Sequence, residues 1–295
     1  METRPSVDGK KIRRLIYPFL IYYGINLLVS VVAAIIITAN VMGENMEALI
    51  SGDVETIMYQ ALELVYQYAL ELQAVSVVAT LPVLIIYFRR DRQRRRAEGY
   101  VESLPDRSPL WMLLMVVFGA ITAYAGNGMI ALSGLNRVTD SYEEVAVVFY
   151  QGKLLLEIVS LGILTPVLEE LIFRGLMYRQ LTEIASKKTA VILAALMFGL
   201  FHGNFLQMVY GTALAFLMIY VYERFQTLIA PILFHIGANV MGILLSEVEA
   251  LSFLYRTAAA MYISVILASL MIIGVVWLVE NRKNMVEMHD STQEN

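Results

Sequence analysis

The chain alternates between long apolar runs and short polar, charged breaks. Eight runs approach the ~20 residues that an α-helix needs to cross ~30 Å of hydrocarbon. They lie near 15–38, 73–88, 109–131, 153–173, 189–206, 207–223, 228–246 and 259–280. This pattern predicts an all-α, polytopic membrane helix bundle of about eight transmembrane helices. The second run is short and is expected to extend back into the Tyr-, Leu- and Glu-bearing segment 55–72. Only Gly203-Asn204-Phe205 separates the fifth from the sixth, so a tight hairpin is expected there. The first run is too long for a signal-peptide core and lacks a small-residue cleavage site, so it should stay as an anchor. Composition agrees, with 58% hydrophobic and 16% charged residues and a mean hydropathy of +0.64.

Charge adds orientation. Lys10, Lys11, Arg13 and Arg14 precede the first run, and Arg89, Arg90, Arg92, Arg94, Arg95 and Arg96 follow the second. The intervening loop 39–72 carries Glu44, Glu47, Asp53, Glu55, Glu63 and Glu71 with no Lys or Arg. Arg179, Lys187, Lys188, Arg282 and Lys283 continue the asymmetry. The positive-inside rule then places both termini in the cytoplasm of a cell-membrane protein surrounded by lipid. The Arg-rich segment 89–96 reads as a stop-transfer and topology signal rather than a nucleic-acid or lipid-headgroup patch, and no nucleic-acid partner is expected. The polar loop 89–108 is a natural boundary. It divides an N-terminal two-helix hairpin (1–108) from a six-helix domain (109–281) and a polar tail (282–295). With no Cys in 295 residues, disulfides, thiolate metal sites and a cysteine nucleophile are excluded.

The informative positions are the charged ones inside apolar runs. Each charge at bilayer depth costs about 2.5–3.5 kcal/mol on the insertion scale, so such residues usually face a cavity or a partner. Glu169 and Glu170 interrupt the fourth run. At helical spacing Glu169 shares a face with Phe173, and Glu170 with Arg174. Adjacent helical residues point ~100° apart, so the two carboxylates should do different jobs. Glu170, with its cationic neighbour, should stay ionised and structural; Glu169, with no basic residue at i±3 or i±4, is the candidate base. Pro166 removes a backbone donor just before the pair, and a kink is expected there. His202 ends F-G-L-F-H, with Phe198 one turn earlier and Gly199 and Gly203 beside it. His235 has Asn239 one turn later, a pair of donor-capable side chains that suits an oxyanion or polar substrate group. Singly, each feature also suits helix–helix hydrogen bonding, a buried ion-pair network, or a proton or ion path. Convergence of these groups would require a buried, water-accessible cavity.

Together the three pieces resemble the CPBP family, the CAAX-protease and bacteriocin-processing intramembrane endopeptidases related to the Ras-converting CAAX prenyl protease. The motif E-E-x-x-x-R appears as Glu169, Glu170 and Arg174, with Phe173 inside it. F-x-x-x-H appears as Phe198 and His202, and H-x-x-x-N/D as His235 and Asn239. They occur in order on separate apolar runs, over about 160–246. The resemblance implies a hydrolase acting on a peptide or lipidated-protein substrate near the membrane surface. Glu169 and His202 would activate water, His235 and Asn239 would stabilise the oxyanion, and Glu170, Arg174, Phe173 and Phe198 would support the site. No cofactor is favoured. Zn2+ held by Glu169, His202 and His235 is the alternative, because members are often labelled metalloproteases. The rival function is a non-proteolytic membrane protein of the same fold, an immunity or scaffold factor or an ion-coupled transporter. A transporter should show pseudo-repeated halves, whereas all three motifs lie in one half of this chain.

Overall fold

The computed structural model describes residues 9–100, 107–135, 148, 153–248, 251 and 257–293, with side chains to Arg282. Among these residues the chain is helical, with no strand. Helix α1 (Gly9–Glu44) is followed by two short helices, α2 (Met46–Ser51) and α3 (Val54–Gln67), and then by α4 (Ala69–Ala97). Helix α5 spans Pro109–Ser133. A continuous helix of changing hydrogen-bond register, α6, occupies 154–184. Then come α7 (Lys187–Phe201), α8 (Phe205–Phe225), α9 (Ile229–Glu247) and α10 (Ala258–Gln293).

Six of these helices, α1, α4, α5, α8, α9 and α10, are long and apolar enough to cross a membrane. The two other apolar runs are helical as well, but differently built. The run 153–173 is absorbed into α6, and 189–206 yields the 15-residue α7 and the turn that ends it. That turn lies where the short Gly203-Asn204-Phe205 break predicts it. Gly203 takes φ +74°, a conformation that side chains rarely adopt. Asn204 then caps α8 by accepting from the Gln207 amide at 2.8 Å. The acidic loop is ordered by similar means: Asp53 accepts from Thr56 N (3.1 Å) and Thr56 Oγ1 (2.7 Å), which holds its carboxyl below the usual range.

Apolar residues divide between two environments. Leu20, Leu27, Leu28 and Ile35 on α1, and Ile263, Leu267, Ile273 and Trp277 on α10, stay exposed along the helix length. On this scale an outward apolar surface is the mark of a lipid-facing wall. Inside, one cluster runs from Val77 and Leu84 on α4, through Phe118 on α5 and Phe173 on α6, to Phe198, Phe225 and Phe234. The N-terminal hairpin is packed into this cluster, with Phe19 edge-on to Phe173 at 5.5 Å.

Close approach of backbones sets the register of the helices that carry the site. A methyl group at Gly119 of α5 would overlap the carbonyl of Phe234 on α9, and one at Gly237 of α9 would overlap Val116 O on α5. Small residues on both sides of one contact are what tight membrane helix pairs require. Gly237 falls between His235 and Asn239, so its contact holds the back of α9 while those two side chains face the other way. Gly199 does the same for α7 against Met208 and Thr212 of α8.

Candidate active site

Helix α6 carries the carboxylates, and its hydrogen-bond register changes around them. Residues Ile158–Leu164 and Leu171–Tyr178 are π-helical, while the intervening Thr165–Glu170 is α-helical. Pro166, lacking an N–H, cannot close the turn that would otherwise run straight through. Where a kink is expected, the structure has widened turns before and after Pro166, with α-type dihedrals retained at Leu164, Thr165, Glu170 and Leu171. Wide turns of this kind recur at functional sites, because they re-aim side chains and leave carbonyls for other partners. Leu161 O, inside the first wide stretch, accepts from Asn239 Nδ2 at 2.9 Å.

The two glutamates separate as their ~100° offset requires. Glu170 is fully buried and accepts from Arg174 at 2.7 Å, the expected one-turn pair. It also accepts from His235 Nδ1 at 2.9 Å, a partner 65 residues further along the chain. An ionised carboxylate has no hydrogen to give, so Nδ1 must carry the proton in this bond. The second ring nitrogen, Nε2, is thereby turned towards Glu169, whose Oε2 stands 3.7 Å away. Glu169 is only 8% exposed and lines an internal cavity, whereas Glu170 and Arg174 lie behind the wall of that cavity.

His202 stands at the end of α7. Its Nδ1 lies 2.9 Å from Phe198 O, a carbonyl that can only accept, so Nδ1 donates this bond and Nε2 is left for other partners. Phe198 is the hub of the site. Its ring meets His202 at 5.0 Å, His235 at 5.7 Å and Phe173 at 5.0 Å, and the Arg174 guanidinium lies over it at 4.5 Å. Edge-on contacts and a cation over a ring face are both favourable arrangements. They explain why a phenylalanine stands one turn before the histidine: it fixes both imidazoles and covers the buried cation.

The cavity has a volume of about 620 Å³. Glu169, His202, His235 and Asn239 all contribute to its wall, so the four residues singled out in the sequence are brought together. Its wall also has members that no motif marks. Tyr22 comes from α1, Gln73 from α4, Asn127 from α5, and Gln207 and Tyr210 from α8. Their only trace in the sequence is a polar atom at the edge of, or within, an apolar run, too common a feature to single them out.

Glu169, His202 and His235, the three residues named for a metal, share the cavity wall. Among the described residues no group of three or more His, Asp or Glu side chains is gathered as a metal site. One His235 nitrogen is already engaged by Glu170. That bond leaves His235 Nε2 facing Glu169 at 3.7 Å, an orientation open to a proton, a water or a metal ion.

Comparison with known proteins falls on this same region. Residues 151–241, which hold Glu169, Glu170, Arg174, His202, His235 and Asn239, match the family model described as type II CAAX prenyl endopeptidase Rce1-like. Over 188 residues the chain is 24% identical to the Bacillus subtilis (strain 168) protein named "Putative membrane peptidase YdiL", covering 63% of this chain and 76% of that protein. Over 133 residues it is 25% identical to UPF0177 protein YxdF of Lactococcus lactis subsp. lactis (strain IL1403), covering 45% of this chain and 73% of that one. No solved structure matches. The resemblance read from the three motifs is borne out: within a chain of membrane-spanning helices, residues 151–241 are similar to the Rce1-like CAAX prenyl endopeptidases.

Proposed function

We propose that the protein is an intramembrane endopeptidase in which Glu169 and His202 activate water within the α6–α9 cavity. The observation that carries this reading is the separation of the two carboxylates. Glu170 is neutralised by Arg174 and bonded to His235, while Glu169 faces the cavity with no cationic neighbour on its own helix face. A water between Glu169 and His202 would lose a proton to the carboxylate as its oxygen attacks the peptide carbonyl. With Nδ1 donating to Phe198 O, a neutral His202 would accept the second water hydrogen at Nε2 and so orient the attack. The proton taken up by Glu169 would then pass to the departing amine. Asn239, fixed by its bond to Leu161 O, retains a second amide hydrogen for the oxyanion. His235 would join it as a second donor through Nε2, the ring nitrogen that faces Glu169 and the cavity.

A peptide near the membrane surface, lipidated or of the bacteriocin type, is the proposed substrate class, and a cytoplasmic position for both termini is part of the same proposal. The test is a cleavage profile of purified protein against a lipidated peptide library, with Glu169→Gln in parallel. Wild type should cleave a subset, and the amide variant should lose at least 10²–10⁴-fold in rate, the usual worth of a positioned base. Undiminished cleavage by Glu169→Gln would overturn the assignment of the base. Elemental analysis of the active preparation belongs in the same experiment. Far less than one metal per chain, with turnover retained in chelator, is expected. A one-to-one zinc content lost in both His202→Ala and His235→Ala would move the chemistry to a Lewis acid.

A further inference from the structure

The wall of the 620 Å³ cavity is not built from the family-like segment alone. Residues 151–241 supply its carboxylate and imidazoles, but Tyr22 comes from α1 and Gln73 from α4, the two long helices of the N-terminal hairpin. Both side chains are half-buried. The Tyr22 ring is held by Tyr23 at 5.3 Å and by Phe201 of α7 at 5.6 Å. Phe201 in turn meets Phe173 at 5.1 Å and immediately precedes His202, so the phenol is fixed relative to the groups proposed for catalysis.

The Tyr22 hydroxyl is hydrogen-bonded to the Gln73 side chain and lies within electrostatic reach of Glu169. A hydroxyl both donates and accepts, and a carboxamide carries two N–H donors and an acceptor oxygen. One bond between them therefore leaves the pair at least one donor and one acceptor to offer the cavity. Neither group is a cation, so the pair does not quench the carboxylate beside it.

That combination matches an extended peptide, which presents an N–H and a C=O at every residue, about 3.3–3.6 Å along the chain. Inside a membrane bundle each of these groups needs a partner once water is displaced. Asn239 and His235 are assigned to the carbonyl under attack, which leaves the neighbouring peptide unit to be held by other residues. We infer that Tyr22 and Gln73 form a clamp for the substrate backbone, holding the peptide unit next to the scissile bond. The inference rests on the peptidase reading and adds substrate-holding residues from outside the family-like segment. Such a clamp reads main chain rather than side chain.

The test uses the full-length protein in detergent, a peptide that it cleaves, and analogues in which single amides flanking the scissile bond are replaced by esters. An ester lacks the N–H and has a weaker acceptor. Tyr22→Phe removes one hydroxyl, and Gln73→Met removes the amide at similar length. Each variant should raise KM about 10-fold, with kcat within about 3-fold of wild type and its pH profile unchanged. One ester should cost wild type a similar factor and cost the variants almost nothing, since the contact is already gone. An ester penalty equal in wild type and variants at every flanking position overturns the inference. So does a lowered melting temperature with KM unchanged, which would make the pair a bolt between α1 and α4. Binding of an uncleavable analogue to Glu169→Gln, with and without Tyr22→Phe, is read by fluorescence anisotropy and separates the clamp from the assignment of the base. Equal affinity overturns the clamp and leaves the base in place. Weaker binding in the double variant, with cleavage by Glu169→Gln undiminished, keeps the clamp and removes the base.

Discussion

Two buried charged clusters in this molecule use the same residue types to different ends. At the end of α4, Asp91 and Glu183 face Arg94 and Arg95, two buried acids against two bases, and the exposed Glu98 adds a contact to Arg94. Gln180 Nε2 adds a bond to Asp91 at 2.9 Å. The set bolts α4 to α6, and its buried members balance one another's charge. Earlier along α6, Glu169, Glu170 and Arg174 carry two acids against one base, and His235 supplies the remaining contact. Here the surplus carboxylate opens onto a cavity large enough for water and a peptide segment. Burial alone therefore does not separate a structural ion-pair set from the one proposed to be reactive. Unmatched charge beside open space does.

This contrast can be broken by measuring turnover and melting temperature on the same preparations. The largest effect on rate is expected at His202. His202→Ala should abolish measurable turnover, a loss of 10²–10⁴-fold or more, with the melting temperature nearly unchanged because the ring's one hydrogen bond is to its own helix. Asn239→Ala should follow, at about 10²–10³-fold in rate, as for loss of one oxyanion donor. A Asn239→Ala protein with full activity would remove that residue from the chemistry.

Arg174→Ala should act on stability instead. It leaves Glu170 buried and short of its cation, a change worth roughly 3–5 kcal/mol, and should appear as low yield and a lowered melting temperature. A stable but inactive Arg174→Ala protein would show that the line between chemistry and support is misplaced. The smallest effect on rate should come from Glu183→Gln in the α4–α6 set. It should lower the melting temperature, since Arg94 and Arg95 lose a shared partner, while the rate per folded molecule stays within about 3-fold of wild type. Loss of rate without loss of stability there would mean that the two clusters are coupled through α6.

Much of the site was legible in the sequence because a charge in an apolar run is expensive and therefore rare. Glu169, Glu170, Arg174, His202, His235 and Asn239 stood out for that reason, and helical spacing alone paired Glu170 with Arg174 and Phe198 with His202. The run lengths likewise determined an all-α membrane bundle. They overcounted uniform spans, because α6 changes register around Pro166 and α7 is stopped by the positive φ of Gly203. Spacing could not say that Glu170 binds His235, which of the two imidazole nitrogens faces Glu169, or that Tyr22 and Gln73 complete the cavity wall. Nor could it turn the Arg-rich stretch from a topology signal into a network with Glu183 and Gln180. Those facts depend on how far each helix is rotated and translated against its neighbours. Here that is set by backbone contacts at Gly119, Gly199 and Gly237, between segments far apart in the chain, so only the packed bundle decides them.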